Sequence, residues 1–274
     1  MDRDHNENER LDEHGPVRGT DEPMAEYDDD ADEEPAARRP WIRNAVMVLL
    51  VAALIVNILA FWPQIYNMRT LPLLFKSREL SAREDVQNYK KAVVLVVTDK
   101  GSGTGFHISG GYIVTSHHVI EGAAYAIVEF PESGARFAAE AARSDPELDI
   151  AVLRAEGGAD RQPYIEIERE HDWEPGASVY VIGNPLYLKQ IAGEGQVLGM
   201  MPVQGRRRPV LAVDAPVHKG NSGSPVINEH GRAIAVIYAT SEIMRQDGAV
   251  QVGLAVPLRD ADGLLRDLLP VDKS

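Results

Sequence analysis

A serine stands in the run VDAPVHKGNSGSPVIN, residues 213–228, enclosed by small neighbours in Gly220, Asn221, Ser222, Gly223, Ser224 and Pro225. Strand-like stretches at 209–213 and 225–228 flank it, so the loop between them presents one hydroxyl. Glycine lets the backbone approach a substrate closely and take angles closed to other residues, so amide N–H groups around Ser222 can converge on a single oxygen. The same tetrad also suits a plain tight turn between strands, and the rest of the chain must decide. A serine hydroxyl becomes a nucleophile only when a neutral imidazole takes its proton. That imidazole in turn needs a carboxylate to fix its tautomer and stabilise the cation that forms.

Both partners have candidates upstream. In GYIVTSHHVI, residues 111–120, an apolar run ends on His117 and His118. In DPELDIAVLR, residues 145–154, Asp145 and Asp149 precede an apolar strand. The chain order is therefore His, Asp, Ser, which is that of the chymotrypsin-type barrel proteases; subtilisins run Asp, His, Ser and α/β-hydrolases run Ser, acid, His. A lipase or esterase is disfavoured both by this order and by GNSGS, which is not a GxSxG elbow.

The segments TSHHVI, DIAVLR and GNSGSP resemble those of the trypsin-like serine proteases, in the HtrA/Deg branch. Further agreement comes from GSGTGF at 101–106, VIGNPL at 181–186, VDA at 213–215 and VGLAVP at 252–257, so the likeness covers residues 93–257. Matched residue by residue, it implies His118 as general base, with His117 on a variable position. Asp149, immediately before the Ile-Ala-Val-Leu strand, takes the orienting role, and Ser222 is the nucleophile. The N–H groups of Gly220 and Ser222 are implied as oxyanion donors. Pro216 and Val217 fall where the family places its pocket floor, and neither is acidic, so medium aliphatic rather than basic residues are expected before the cleaved bond. The implied fold is all-β, a chymotrypsin-like double six-stranded β-barrel. The implied partners are protein or peptide substrates, with no cofactor.

Such a domain must be positioned by the rest of the chain. Of the net charge of −14 over 274 residues, most lies in residues 1–37, where fifteen Asp and Glu face three Arg. A segment so acidic and so poor in aliphatic residues is expected to be disordered. The acidity also argues against nucleic acid as a partner. Residues 45–62 follow, polar only at Asn57 and flanked by Trp41, Trp62 and Tyr66. At about 1.5 Å per residue, eighteen such residues match a bilayer core, so this is read as one uncleaved transmembrane helix contacting lipid. Arg38, Arg39 and Arg43 crowd its N-terminal side while Arg69, Lys76 and Arg78 stand beyond the other. Proximity and the resemblance both favour a cytosolic N-terminus, with the protease domain outside the cytoplasmic membrane of a bacterium. With no cysteine, the chain forms no disulfide.

The expected organisation is a tail at 1–37, a span with flanks at 38–66, a juxtamembrane linker at 67–85 and a protease domain at 86–274. Within the linker, residues 71–75 are read as interfacial. Ser81 and Glu84 have capping-box spacing, predicting a short helix over about 82–91. Strands are read at 93–98, 105–108, 112–115, 124–130, 150–154, 178–182, 195–199, 210–214, 233–238 and 252–255, separated by Gly- and Pro-bearing turns. The cluster at 101–105 lacks P-loop spacing and reads as a strand entry. Arg206, Arg207 and Arg208 read as a solvated hairpin tip. His107 and His218 have no ligand-spaced carboxylate or cysteine, so no metal is expected. Residues 258–274 suggest one short amphipathic helix, too little for the PDZ domain common among HtrA relatives, and this departure leaves a homo-oligomer open. The competing reading is a weakly active, protease-like scaffold that binds a membrane or periplasmic partner.

Overall fold

Among the described residues, three helices precede the strands. The structure, a computed structural model, describes residues 40–66, 70–170, 173–185, 188–245 and 248–268, so the acidic run 1–37 lies outside the described residues. Helix α1, Pro40–Tyr66, contains one window apolar and long enough to cross a membrane, and every residue from 40 to 57 is exposed. Its residues 40–61 form a unit of their own.

The second unit, residues 62–274, begins with α2, Thr70–Leu80, inside the stretch expected as a linker. Leu73 and Leu80 are buried, and the buried Ser77 hydroxyl accepts the Ala192 N–H at 2.9 Å. Leu73 therefore packs against protein, although Phe75 beside it is exposed. Helix α3, Glu84–Ala92, forms where expected, but Ser81 and Glu84 make no capping box. Arg83 is the N-cap residue, and its guanidinium has no oxygen to accept a helix N–H, while the Ser81 hydroxyl accepts Lys90 Nζ and donates to the Ser77 carbonyl.

Short alternating runs bounded by Gly-bearing turns then close into two antiparallel barrels. The first comprises β1 (Val93–Thr98), β2 (Ser102–Ser109), β3 (Tyr112–Thr115), β4 (Ala126–Phe130), β5 (Ala135–Asp145) and β6 (Ile150–Ala155), in the order β1-β2-β3-β6-β5-β4. The second comprises β7 (Ser178–Gly183), β8 (Ile191–Met201), β9 (Val210–Asp214), β10 (Pro225–Asn228), β11 (Ala233–Arg245) and β12 (Gly248–Pro257), in the order β10-β11-β12-β9-β8-β7. Closure removes the free sheet edges that would otherwise invite association. Each barrel has its own core, Val94, Val96, Phe130 and Leu153 in the first, Val181, Leu211, Val213 and Val226 in the second. A third apolar cluster joins them, with Val114 and Val152 from the first barrel meeting Ile182, Val236 and Val256 from the second.

Polar groups add directionality to this seam. The Glu129 carboxylate of β4 is buried and takes both Arg136 and Lys189, the latter from the segment leading into β8. These hydrogen bonds, with Lys189 foremost, hold its carboxyl below the usual range. Burial pushes the His107 imidazole down; its Nδ1 bonds the Pro163 carbonyl at 2.9 Å and its Nε2 accepts the Gly111 N–H. At the end of the chain, a 3-10 turn, Leu258–Ala261, leads to Asp262–Leu265, whose Leu265 enters the inter-barrel cluster.

Candidate active site

The register of β3 against β6 sets two of the predicted residues side by side. Thr115 pairs with Ala151, so the next positions outward bring His117 opposite Asp149. The His117 N–H donates to the Asp149 carbonyl at 3.1 Å, continuing the ladder one step beyond the strands. The chain then turns into a single helical turn, α4, His117–Ile120, whose preceding Ser116 leaves its hydroxyl uncommitted to capping and donates instead to the Ile237 carbonyl of β11.

Asp149 takes a left-handed backbone, φ 58°, which few side chains adopt and Asp tolerates better than most. From there its carboxylate spans two donors of one residue: Oδ1 accepts the His118 N–H at 2.9 Å and Oδ2 lies 2.7 Å from His118 Nδ1. An ionised carboxylate only accepts, so the ring proton sits on Nδ1 and Nε2 keeps its lone pair. The Asp149 side chain is 15% exposed, that of His118 43%. The hydrogen bond to Asp149 raises the His118 imidazole above its ordinary value, against the opposing effect of burial. Asp145, the other acid weighed in the sequence, does different work: its Oδ1 accepts the N–H groups of Glu147 and Leu148 and closes the turn that leads to Asp149.

Ser222 comes from the other barrel, in the connection between β9 and β10. The Asn221 N–H donates to the His218 carbonyl at 3.0 Å, and Gly220, the third residue of that turn, has φ 101° while Lys219 keeps a negative φ. This is a type II turn. It differs from type I by a flip of the peptide that carries the Gly220 N–H. Neither flanking glycine admits a side chain, because a Cβ at Gly220 would stand 2.5 Å from the Asn184 carbonyl oxygen and one at Gly223 1.9 Å from that of Thr104.

A single first-barrel residue, Thr104, ties this loop down. Its N–H donates to the Ser222 carbonyl at 2.8 Å, its hydroxyl donates to the Gly220 carbonyl at 2.7 Å, and its own carbonyl accepts the Thr115 hydroxyl at 2.6 Å. The hydroxyl also accepts the Asn184 N–H at 2.9 Å. From β11, the Ile237 carbonyl accepts the Gly223 N–H at 2.7 Å. Sequence reading did not single out Thr104 or Asn184 for the site; Thr104 lay in a glycine-rich strand entry and showed no partner at short range.

His118, Ser222, Gly220 and Val119 line one cleft of about 670 Å³, with Lys100 and Lys219 on its walls. His118 and Ser222, distant in sequence and borne by different barrels, thus face a common space. Pro216 and Val217 do not line this cleft: Val217 is buried in the second barrel's core, and Pro216 is exposed and packs over Gly193 of β8.

Residues 103–236 match the model of the trypsin-like peptidase domain. A probable periplasmic serine endoprotease, DegP-like, of Chlamydia trachomatis is 29% identical over 179 residues, covering 62% of this chain and 34% of that protein. The putative serine protease HhoB of Synechocystis is 31% identical over 182 residues, covering 64% and 42%. The chain thus spans about a third to two fifths of the length of these curated relatives. Among solved structures, the HtrA-type protease AlgW with a tripeptide superposes with a TM-score of 0.57 at 26% identity over 67% of this chain and 62% of that one. The Rv3671c protease of Mycobacterium tuberculosis, in an inactive form, shares the fold with a TM-score of 0.58 at 23% identity, over 70% of this chain and 95% of that one. With two closed barrels, the chain carries a trypsin-like peptidase domain over residues 103–236 and is similar to serine proteases of the HtrA type.

Proposed function

We propose that the chain is a membrane-anchored serine endopeptidase that cleaves peptide bonds of proteins outside the cytoplasm. The observation that carries this is the 2.7 Å contact between His118 Nδ1 and Asp149 Oδ2 beside a cleft that His118 shares with Ser222. In this reading the Ser222 hydroxyl attacks the peptide carbonyl carbon and gives its proton to His118 Nε2. Asp149 holds the imidazole in the Nδ1–H tautomer and stabilises the cation. The N–H groups of Gly220 and Ser222 receive the negative charge on the carbonyl oxygen, each worth on the order of 3 kcal/mol in the transition state. The tetrahedral species collapses as His118 passes its proton to the leaving amine. Water, deprotonated in turn by His118, then releases the acyl group and restores the serine.

Substrate binding has a place to start. β11 pairs with β10 only as far as Val236, so beyond Tyr238 its edge away from β12 has no strand partner among the described residues. An extended peptide can add there through main-chain hydrogen bonds.

The organisation that goes with this function is the tail at 1–37, the span at 38–66, the connector at 67–85 and the protease domain at 86–274, with residues 45–62 in the lipid of a bacterial cytoplasmic membrane. Support comes from the long apolar run within α1, exposed from residue 40 to 57, and from relatives described as periplasmic. A cytosolic N-terminus places the barrels on the far side. Comparing the full chain in detergent with its Ser222→Ala variant on a casein-type substrate tests the activity; equal rates would overturn it. Protease accessibility of the barrels in intact spheroplasts tests the orientation.

A further inference from the structure

The arginine run at 206–208 read as a solvated tip, yet Arg206 is half-buried while Arg207 and Arg208 are exposed. The hairpin between β8 and β9 carries Arg206 across the seam to the turn that bears Asp149. Its Nη2 donates to the Leu148 carbonyl at 2.8 Å and to the Glu147 carbonyl at 3.3 Å. Its Cζ lies 4.3 Å from the centre of the Tyr238 ring on β11. A guanidinium is suited to this combination, because its planar fork serves two acceptors while its face stacks on an aromatic ring.

The groups it holds are the two residues directly before Asp149. A left-handed backbone at a residue other than glycine persists only where the surroundings over-determine it. Asp145 restrains this turn from within, through its bonds to the Glu147 and Leu148 N–H groups. Arg206 restrains the carbonyls of the same two residues from the opposite barrel. Arg207 adds a 3.5 Å pair with Glu147, but both side chains are largely exposed and such a pair is worth little.

We propose that Arg206 is a positioning residue for Asp149: by holding the Glu147 and Leu148 carbonyls against Tyr238, it fixes the backbone from which one carboxylate reaches both His118 donors. This rests on the hydrolytic role given to that pair. A carboxylate displaced by about 1 Å costs on the order of 10²-fold in rate.

The test uses the full chain in detergent and two readouts, turnover and the titration of His118 followed by NMR. The charged or titratable groups around His118 are Asp149, Glu121 on the same turn, the neighbouring His117, and Lys100 and Lys219 on the cleft walls, with Tyr238 and Arg206 behind Asp149. Removing the Arg206 cation alone would raise the His118 pKa, by relieving repulsion. Losing the Asp149 contact would lower it. The direction therefore separates positioning from simple charge.

Arg206→Ala is expected to lower kcat by about 10²-fold with KM held within about twofold, and to move the His118 titration down. Arg206→Lys, which keeps the charge and a single donor, is expected to fall between and covers the case in which the alanine variant fails to fold. Wild-type turnover and a His118 pKa unchanged or raised in both variants would overturn the proposal. If wild type and Ser222→Ala hydrolyse equally, the peptidase reading falls, and the His118 titration still decides whether Arg206 positions Asp149.

Discussion

The Thr104 hydroxyl donates to the Gly220 carbonyl at 2.7 Å, so a residue of the first barrel sets the turn that precedes Ser222 in the second. The same oxygen accepts the Asn184 N–H, and the Thr104 N–H reaches the Ser222 carbonyl, so three segments meet at one buried side chain. The two barrels are coupled where the proposed catalytic groups meet.

Thr104→Val keeps the shape of that side chain and deletes the hydroxyl. It leaves the Gly220 carbonyl and the Asn184 N–H without their partner, at about 1–3 kcal/mol each when buried, and frees the turn that carries a proposed oxyanion donor. The expected result is a fall in kcat of about 10–10², with KM less affected, and a lower Tm. Thr104→Ser should restore most of both. Steady-state kinetics and thermal melts of the three proteins check this.

The pH profile follows from the Asp149 hydrogen bond, which raises the His118 pKa. The proposed base must be neutral to act, so kcat/KM should rise with pH through a midpoint above the ordinary value of about 6.5. Asp149→Asn should lower kcat by about 10⁴ and draw that midpoint down. The stability linkage has the same origin. A pKa raised on folding stabilises the protein fully below about pH 6.5, and that contribution is lost as pH climbs through the raised value. The difference in Tm between wild type and Asp149→Asn should therefore shrink from pH 5.5 to pH 8.5.

Two glycines with positive φ offer an internal contrast. A Cβ at Gly223, φ 88°, would lie 1.9 Å from the Thr104 carbonyl oxygen and 2.5 Å from the Thr115 hydroxyl, whereas one at Gly122, φ 63°, meets nothing within 4 Å. Gly122→Ala should cost only the left-handed backbone penalty of about 1–2 kcal/mol. Gly223→Ala adds overpacking of about 1–3 kcal/mol and should abolish activity. Chemical denaturation and fluorophosphonate labelling report the two effects.

Docking of α2 on the second barrel makes a further prediction. Ser77→Ala removes the acceptor of the Ala192 N–H, leaving a buried donor unpaired at about 1–3 kcal/mol. Faster amide exchange at Ala192, with a lower Tm, is expected; exchange as slow as in wild type would mean that the helix does not shield this strand.

What could be read from the sequence divides by range. Many short strands between Gly-bearing turns made an all-β domain legible, but the two closed barrels, and the choice of His118 over His117 and of Asp149 over Asp145, came from the resemblance of TSHHVI, DIAVLR and GNSGSP to a known family. β5 escaped notice because ARFAAEAARSD is built of Ala, Arg and Glu, residues that favour helices; only its pairing with both β4 and β6 makes it a strand. The helix α2 was hidden by Pro72, which the first turn of a helix tolerates. The capping box was plausible by spacing, but the helix begins after Arg83 and the Ser81 hydroxyl accepts Lys90 Nζ instead of a helix N–H. Thr104 and Arg206 act across the barrel seam, 116 residues from Gly220 in one case and 58 from Leu148 in the other. No local pattern encodes partners at that separation.

Every step of the proposed hydrolysis requires Ser222 to be an activated nucleophile. The most direct measurement is fluorophosphonate labelling of the full chain in detergent, beside Ser222→Ala and His118→Ala, with the modified residue located by peptide mass mapping. Labelling confined to Ser222, rising with pH and lost in both variants, is the predicted result. An unlabelled wild-type protein, or labelling that survives either substitution, would contradict it.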